Sequence, residues 1–146
     1  MRFLLDTNVV SELRKVRIGR ADARVAAWAD SVDAADLYLS IITLQELEIG
    51  VLRAERKDPR QGAVLRAWLD TQVLPTFAER ILPVDQAVAL RAAALHVPDP
   101  CSIHDGLIAA TALVHGMTIV TRNLADFEAT GAPLLNPWRD RAKQVR

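Results

Sequence analysis

The stretch Phe3-Leu4-Leu5-Asp6-Thr7-Asn8 decides the fold of this chain, because it joins an apolar strand directly to a polar turn. Its three consecutive apolar residues predict a short strand that is covered on both faces. Asp6 follows at the carboxyl end of that strand, where open α/β sheets build their binding sites. An Asx turn or a helix cap also explains an aspartate at this position, so Asp6 alone does not establish a site.

Further short apolar runs follow along the chain and alternate with segments of helical periodicity. The predicted strands are 37–39, 81–82, 117–120 and 133–135, and the predicted helices are 9–14, 21–29, 44–56, 61–74, 86–96 and 103–115. This alternation predicts an α/β fold with a parallel sheet, which is covered by helices on both faces and connected by right-handed crossovers. Because no linker, repeat or low-complexity run divides the chain, we predict a single domain.

Composition and charge narrow the classes of protein. Lys plus Arg and Asp plus Glu both number 18, so the formal net charge is zero. A polyanionic partner must therefore be held by local patches and not by a field of the whole protein.

The single cysteine, Cys101, favours a reducing compartment. No run reaches the roughly 18 apolar residues of a membrane span, and Asp6 comes too early for a signal peptide. We expect a soluble, cytoplasmic protein.

Three further acidic residues lie at joints between predicted strands and helices. Glu46 ends Thr43-Leu44-Gln45-Glu46, which is a capping box with Thr43 as the cap. Asp105 has the same place in Ser102-Ile103-His104-Asp105, and Asp126 follows a predicted strand. Capping explains each of these residues by itself. All four acids nevertheless fall at joints on the rim of the predicted sheet, which favours a shared site.

Carboxylates that converge at such a rim repel one another by several kcal/mol unless protons or a cation compensate. A divalent metal ion resolves this conflict. Oxygen ligands favour hard ions, so we expect Mg²⁺ or Mn²⁺, and the chain lacks the clustered Cys and His spacing of a zinc site. We also expect the positive ends of helices to help keep Glu46, Asp105 and Asp126 ionised.

Four segments together identify a family resemblance. They are FLLDTNVVSEL (3–13), ITLQELEIG (42–50), HDGLIAATA (104–112) and TRNLADF (121–127). Their order and spacing resemble the PIN-domain family, and most closely its VapC/FitB-like toxins of bacterial type II toxin–antitoxin pairs. The resemblance implies a three-layer α/β/α fold with about five parallel strands in the order 3-2-1-4-5. It assigns the PIN domain to residues 1–138 and leaves a basic tail at 139–146.

The resemblance also implies a site and a reaction. The implied core acids are Asp6, Glu46 and Asp105, and Asp126 is a more variable fourth acid. Asn8 and Ser40 are implied as supporting polar residues. The implied activity is that of a Mg²⁺-dependent endoribonuclease, in which metal-activated water hydrolyses an RNA phosphodiester. The implied partners are RNA, a second copy of the chain, and a cognate antitoxin whose basic side chain would plug the acidic site. The apolar surplus in 44–56 and 86–96 would supply contact surfaces.

Basic residues give weaker signals. The run from Arg14 to Arg24 follows the Asp6 segment, and within it we predict that Arg17 and Arg20 contact RNA phosphates. A solvated surface explains the run equally well. The tail at 139–146 either contacts RNA or frays. His104 adjoins Asp105, but metal-activated water removes the need for a histidine base, so we interpret His104 as structural.

Two other classes of protein compete with this interpretation. An aspartate after the first strand also occurs in phosphoryl-transfer proteins similar to haloacid dehalogenases, but Asp6-Thr7-Asn8 lacks their second aspartate. Trapping an aspartyl-phosphate would identify that class. A non-catalytic PIN-like interaction module typically loses a core acid, whereas this chain has all of them. Metal-dependent cleavage of RNA separates that class from a nuclease.

Overall fold

The computed structural model describes residues 1–139, and within them a five-stranded parallel sheet has the order β3-β2-β1-β4-β5. The strands are β1 (Phe3–Leu5), β2 (Leu37–Ser40), β3 (Ile81–Leu82), β4 (Thr118–Val120) and β5 (Leu134–Leu135). The predicted strand positions and the predicted order 3-2-1-4-5 are both confirmed. The boundary at 138 remains a prediction, and the predicted tail lies outside the described residues apart from Arg139.

The helices cover both faces of the sheet. They are α1 (Thr7–Arg14), α2 (Ala23–Ser31), α3 (Ile41–Lys57), α4 (Pro59–Trp68), α5 (Leu74–Thr76), α6 (Gln86–Leu95) and α7 (Ile103–His115), and a π-helical segment, Leu69–Val73, joins α4 to α5. The single helix predicted over 61–74 is therefore interrupted by a change of hydrogen-bonding pattern that side-chain periodicity does not reveal. No helix within residues 1–139 has both the length and the apolar character needed to cross a membrane.

Alternation of side chains along the sheet divides the core into two layers. Phe3 and Leu5 of β1 pack with α1, α2 and α3 on one face, where Trp28 meets the ring of Phe3 edge-on at 5.4 Å between centroids. Leu4 points the other way and packs against α7, with Ile108 among its neighbours. These five residues are buried, and full burial of one such side chain stabilises the fold by about 1.5–3 kcal/mol. The three-layer α/β/α arrangement is confirmed.

The register of the sheet sets the position of the site. β1 pairs with β2 on one side and with β4 on the other, so that Leu5 lies beside Val120. The backbone N–H of Asp6 continues this ladder by donating to the carbonyl of Val120 at 2.9 Å. Because β1 lies in the centre of the sheet, the residues that follow β1, β2 and β4 are neighbours at one edge.

Candidate active site

Asp6 lies where β1 ends and α1 begins, and it is only 8% exposed. Its Oδ1 accepts a hydrogen bond from the backbone N–H of Thr7 at 2.8 Å, and its Oδ2 accepts one from the Thr121 hydroxyl at 2.8 Å. Asp6 is also the N-cap of α1. The capping interpretation and the site interpretation are therefore compatible at this residue.

A polar network ties this joint to the loop that follows β4. Asn8 Nδ2 lies 3.4 Å from both Asp6 Oδ2 and Thr121 Oγ1, while Asn8 Oδ1 accepts from the backbone N–H of Arg122 at 3.2 Å. Thr121 Oγ1 also accepts from the backbone N–H of Asn123 at 3.0 Å. Asn8 thus contacts Asp6, and its supporting role in the site remains a prediction. Thr121 was not predicted as a site residue, although it directly follows β4 as Asp6 directly follows β1.

Glu46 is positioned by α3 and not by a capping box, so the prediction that Thr43 caps this helix is wrong. Helix α3 begins at Ile41, directly after β2, and Ser40 is its N-cap because Ser40 Oγ accepts from the backbone N–H of Ile42 at 3.0 Å. Thr43 is instead buried inside the helix. Glu46 consequently lies in the second turn of α3, beyond the first turn in which the effect of a helix N-terminus is concentrated.

The carboxylate of Glu46 contacts two other elements. Its Oε1 accepts from the Thr7 hydroxyl at 2.7 Å, which connects α3 to the first turn of α1. Its Oε2 lies 3.6 Å from Nδ1 of His104 on α7. His104, which we interpreted as structural, therefore faces a site acid. Ser40, expected as a supporting residue of the site, makes the capping contact to α3 described above.

Asp105 and Asp126 approach from the other side of β1. Asp105 is in the first turn of α7, where Ser102 accepts its backbone N–H at 3.4 Å, so the predicted Ser102 cap is confirmed. Asp126 ends the 3₁₀ turn Leu124–Asp126 that follows β4. Asp105 therefore lies at the start of a helix that covers the sheet, and Asp126 lies shortly after β4.

The charges of neighbouring acids contribute to the raised pKa of both Asp6 and Asp105. Burial raises the pKa of Asp6, and the charges of Glu46 and Asp126 add to this, while the bonds from Thr121 and Thr7 oppose it. Burial also raises the pKa of Asp105, and so do the nearby charges of Asp126, Asp6 and Glu46. The positive end of α7 therefore does not lower the pKa of Asp105 as expected, because burial and three neighbouring carboxylates outweigh it. Within residues 1–139, no three His, Cys, Asp or Glu side chains already meet as a metal-binding group.

Comparison with known proteins identifies the family. Residues 3–132 match the PIN domain. The chain belongs to the PIN-domain family. It is 41% identical over 145 residues to the toxin FitB of Neisseria gonorrhoeae, an alignment that covers 94% of this chain and 99% of FitB. It is 39% identical over 140 residues to the VapC ribonuclease Y4jK of Sinorhizobium fredii, with 92% and 96% covered.

A solved structure agrees with these sequence relatives. The crystal structure of FitAcB from Neisseria gonorrhoeae superposes on this PIN domain with a TM-score of 0.84 and 39% identity. The match covers 94% of this chain and 99% of that chain. The PIN fold and the resemblance to FitB and VapC proteins are thus confirmed, while the roles of individual site residues remain predictions.

Cavities flank the acids of the PIN domain on two sides. One, of about 270 Å³, is lined by Glu46, Arg14 and Trp68, among others. The other, of about 490 Å³, is lined by Asp126 and Arg122, among others. Two cations therefore lie beside the acids: Arg14, which begins the basic run noted in the sequence, and Arg122, which sequence reasoning did not single out.

The two arginines predicted to contact RNA lie elsewhere. Arg17 lines an apolar groove of about 330 Å³ together with Val10, Leu13 and Trp68, and this groove contains no site acid although it shares Trp68 with the cavity beside Glu46. Arg20 is exposed in the loop between α1 and α2 and lines none of these cavities. Their contact with RNA remains a prediction, and the structure does not bring them to the acids.

Proposed function

We propose that this PIN-domain protein is a Mg²⁺- or Mn²⁺-dependent endoribonuclease and the toxin of a type II, VapBC-like toxin–antitoxin pair. The observation that carries the proposal is the buried carboxylate of Asp6 at the carboxyl edge of the sheet, whose oxygens are held by Thr7 and Thr121 and whose pKa is raised by burial and by the nearby charges of Glu46 and Asp126. A buried carboxylate with other carboxylates nearby at the carboxyl edge of a sheet is costly in the absence of a cation. The similarity to a protein named VapC ribonuclease supports RNA as the substrate.

The donor set fits a hard divalent cation. Asp6, Glu46, Asp105 and Asp126 offer carboxylate oxygens, and the ligand preference of Mg²⁺ and Mn²⁺ is for such oxygens. Asp6 is fixed by its bonds to Thr7 and Thr121, so it would be the preorganised ligand. The other acids must reorient to complete the site, because no three of the ligand-type side chains of residues 1–139 meet as a group already. Glu46 is suited to this because its side chain is partly exposed.

In the proposed reaction, the bound metal would supply a Lewis acid that activates water and stabilises charge on the phosphoryl group. The protein residues hold the geometry. Asn8 and Thr121 fix the orientation of the Asp6 carboxylate, and the Thr7 hydroxyl orients Glu46. Water is the nucleophile that attacks phosphorus, so the P–O bond to the leaving oxygen breaks without a covalent enzyme intermediate.

The proposed partners are a second copy of the chain and a small antitoxin. Large exposed apolar side chains lie in both segments expected to supply contacts, with Leu52 on α3 53% exposed and Leu90 on α6 65% exposed. A basic antitoxin side chain would neutralise the acids at Asp6 when inserted into the site. Static light scattering of the purified chain tests the homodimer, and a monomer at high concentration would contradict it. Copurification from the native host tests the antitoxin.

Cleavage of a single-stranded RNA pool tests the activity. We expect cleavage in Mg²⁺ or Mn²⁺, none in excess chelator, and none by the Asp6→Asn variant. Asp30→Asn is the matched control because it removes an exposed carboxylate from α2 that lines neither of the cavities beside the acids. Undiminished cleavage by purified Asp6→Asn protein would refute the assignment. Failure of the unmodified protein to cleave under any metal condition would favour a non-catalytic interaction module.

A further inference from the structure

The loop after β4 fixes the backbone of Arg122 beside the acids. The Arg122 N–H donates to Asn8 Oδ1 at 3.2 Å, and the Arg122 carbonyl accepts from Asn136 Nδ2 at 3.3 Å. Asn8 in turn lies 3.4 Å from Asp6 Oδ2. Two side chains on different elements therefore hold this loop, and one of them also contacts the most buried acid of the site. The position of Arg122 relative to Asp6 is consequently set by the fold.

The side chain of Arg122 is also supported. Its guanidinium carbon lies 5.3 Å from the centroid of the Trp138 ring. Trp138 is itself held, because its backbone N–H donates to Asn136 Oδ1 at 2.9 Å and its ring packs against the core. Stacking occupies the face of a guanidinium and leaves the N–H donors at its edge available to a ligand.

Those donors have no acidic partner in the part of the chain that the structure describes. Among residues 1–139, the ion pairs within 4.0 Å do not include Arg122. By contrast, Arg66 is paired with Glu48 and Glu55. Arg122 is thus an exposed, oriented cation whose hydrogen-bonding edge is not used by a carboxylate.

Arg122 lines the same cavity of about 490 Å³ as Asp126 and Asn123. RNA that reaches the acids brings phosphates close to carboxylates, and an adjacent cation offsets that repulsion. A planar guanidinium is well suited to bind phosphate oxygens in pairs. We propose that Arg122, supported by Trp138, binds a phosphate of the RNA strand on the Asp126 side of the site. This inference rests on the proposed ribonuclease function and deepens it by naming a substrate-binding residue.

The test measures RNA binding without turnover. All proteins carry Asp6→Asn, Mg²⁺ is constant, and the affinity for a short single-stranded RNA is measured by fluorescence anisotropy across a salt series. Each phosphate contact contributes a slope of about −0.7 in log affinity against log salt. Arg122→Ala should weaken binding and flatten the slope by about 0.7, while Arg122→Lys should keep the slope because it keeps the charge. The matched control is Arg91→Ala, which removes an exposed cation from α6 and should keep the parent slope.

The outcomes separate this inference from the proposed function. If the unmodified protein cleaves RNA but Arg122→Ala and Arg91→Ala share the parent slope, the inference is overturned and the function stands. A double Arg17→Ala, Arg20→Ala variant that flattens the slope by about 1.4, with Arg122→Ala unchanged, would also overturn it and place RNA at the groove. If the unmodified protein neither cleaves nor binds RNA, the proposed function fails and the inference fails with it.

Discussion

Replacement of Thr121 by valine tests whether the orientation of Asp6 depends on one hydroxyl. The Thr121 hydroxyl is fully buried and donates to Asp6 Oδ2 at 2.8 Å, and it opposes the effect of burial on the pKa of Asp6. Valine keeps the shape and removes the donor. A hydrogen bond to a charged group contributes about 1.5–3 kcal/mol to stability. The backbone N–H of Asn123 also loses its acceptor in this variant. Asn123 is exposed, so water can accept that hydrogen bond instead.

We therefore expect Thr121→Val to lower the free energy of unfolding by about 2 kcal/mol at pH 7. For a chain of this size, that corresponds to a fall in Tm of about 4–8 °C. Below pH 3.8, the ordinary pKa of aspartate, Asp6 is protonated and accepts a neutral bond of about 0.5–1.5 kcal/mol. The loss should then shrink by about 1 kcal/mol.

Urea unfolding of the unmodified protein and of both the Thr121→Val and Thr121→Ser variants, at pH 7 and at pH 3.5, measures this difference. Thr121→Ser keeps the hydroxyl and should keep the pH dependence of the unmodified protein. An equal loss for Thr121→Val at both pH values would refute the reasoning, because a bond to a charged carboxylate must weaken when that carboxylate is protonated.

Three further predictions follow from the same geometry. Burial raises the pKa of Asp6, so ionisation of Asp6 destabilises the metal-free fold as pH rises from the ordinary pKa of aspartate towards the raised pKa. Asp6→Asn should therefore raise Tm at pH 7 and change Tm little at pH 3.5. Ser40→Ala removes the N-cap of α3 and should cost about 1 kcal/mol in urea unfolding at either pH. His104→Ala removes only a partly exposed contact to Glu46, so kcat/KM for RNA should stay within about fivefold.

Each of these predictions has a result that would contradict it. A fall in Tm for Asp6→Asn at pH 7, with Asp30→Asn unchanged, would mean that the Asp6 carboxylate stabilises the metal-free protein. No loss for Ser40→Ala would mean that the cap contributes nothing to α3. Complete loss of cleavage by correctly folded His104→Ala protein would give His104 a direct part in the chemistry.

Much of the fold could be predicted from the sequence, because short apolar runs and the 3.6-residue period report burial directly. The strands were located well, and α7 was predicted with the bounds that the structure gives. The start of α3 was missed because the sequence from Thr43 to Glu46 matches a capping box. Only the end of β2 at Ser40 shows that the helix has already begun before Thr43. Local capping motifs do not record where the preceding strand stops.

Only the part of the site that a local sequence pattern marks could be predicted. Asp6 could be found because it follows a strand that is apolar throughout. Thr121, which donates to Asp6 from 115 positions away, could not be assigned by local pattern since the contact depends on the pairing of β1 with β4. Arg122 was hidden in the same way, because its supports, Asn8 and Trp138, are distant in sequence.

Binding of Mn²⁺, followed by electron paramagnetic resonance of the free ion, tests most directly the claim that the clustered acids hold a divalent metal. We predict that the unmodified protein binds Mn²⁺, and that Asp6→Asn, Glu46→Gln and Asp105→Asn each weaken binding by more than about tenfold. Asp30→Asn should bind as the unmodified protein does. Equal Mn²⁺ affinity in the unmodified protein and all three site variants, or no binding by the unmodified protein, would contradict the account.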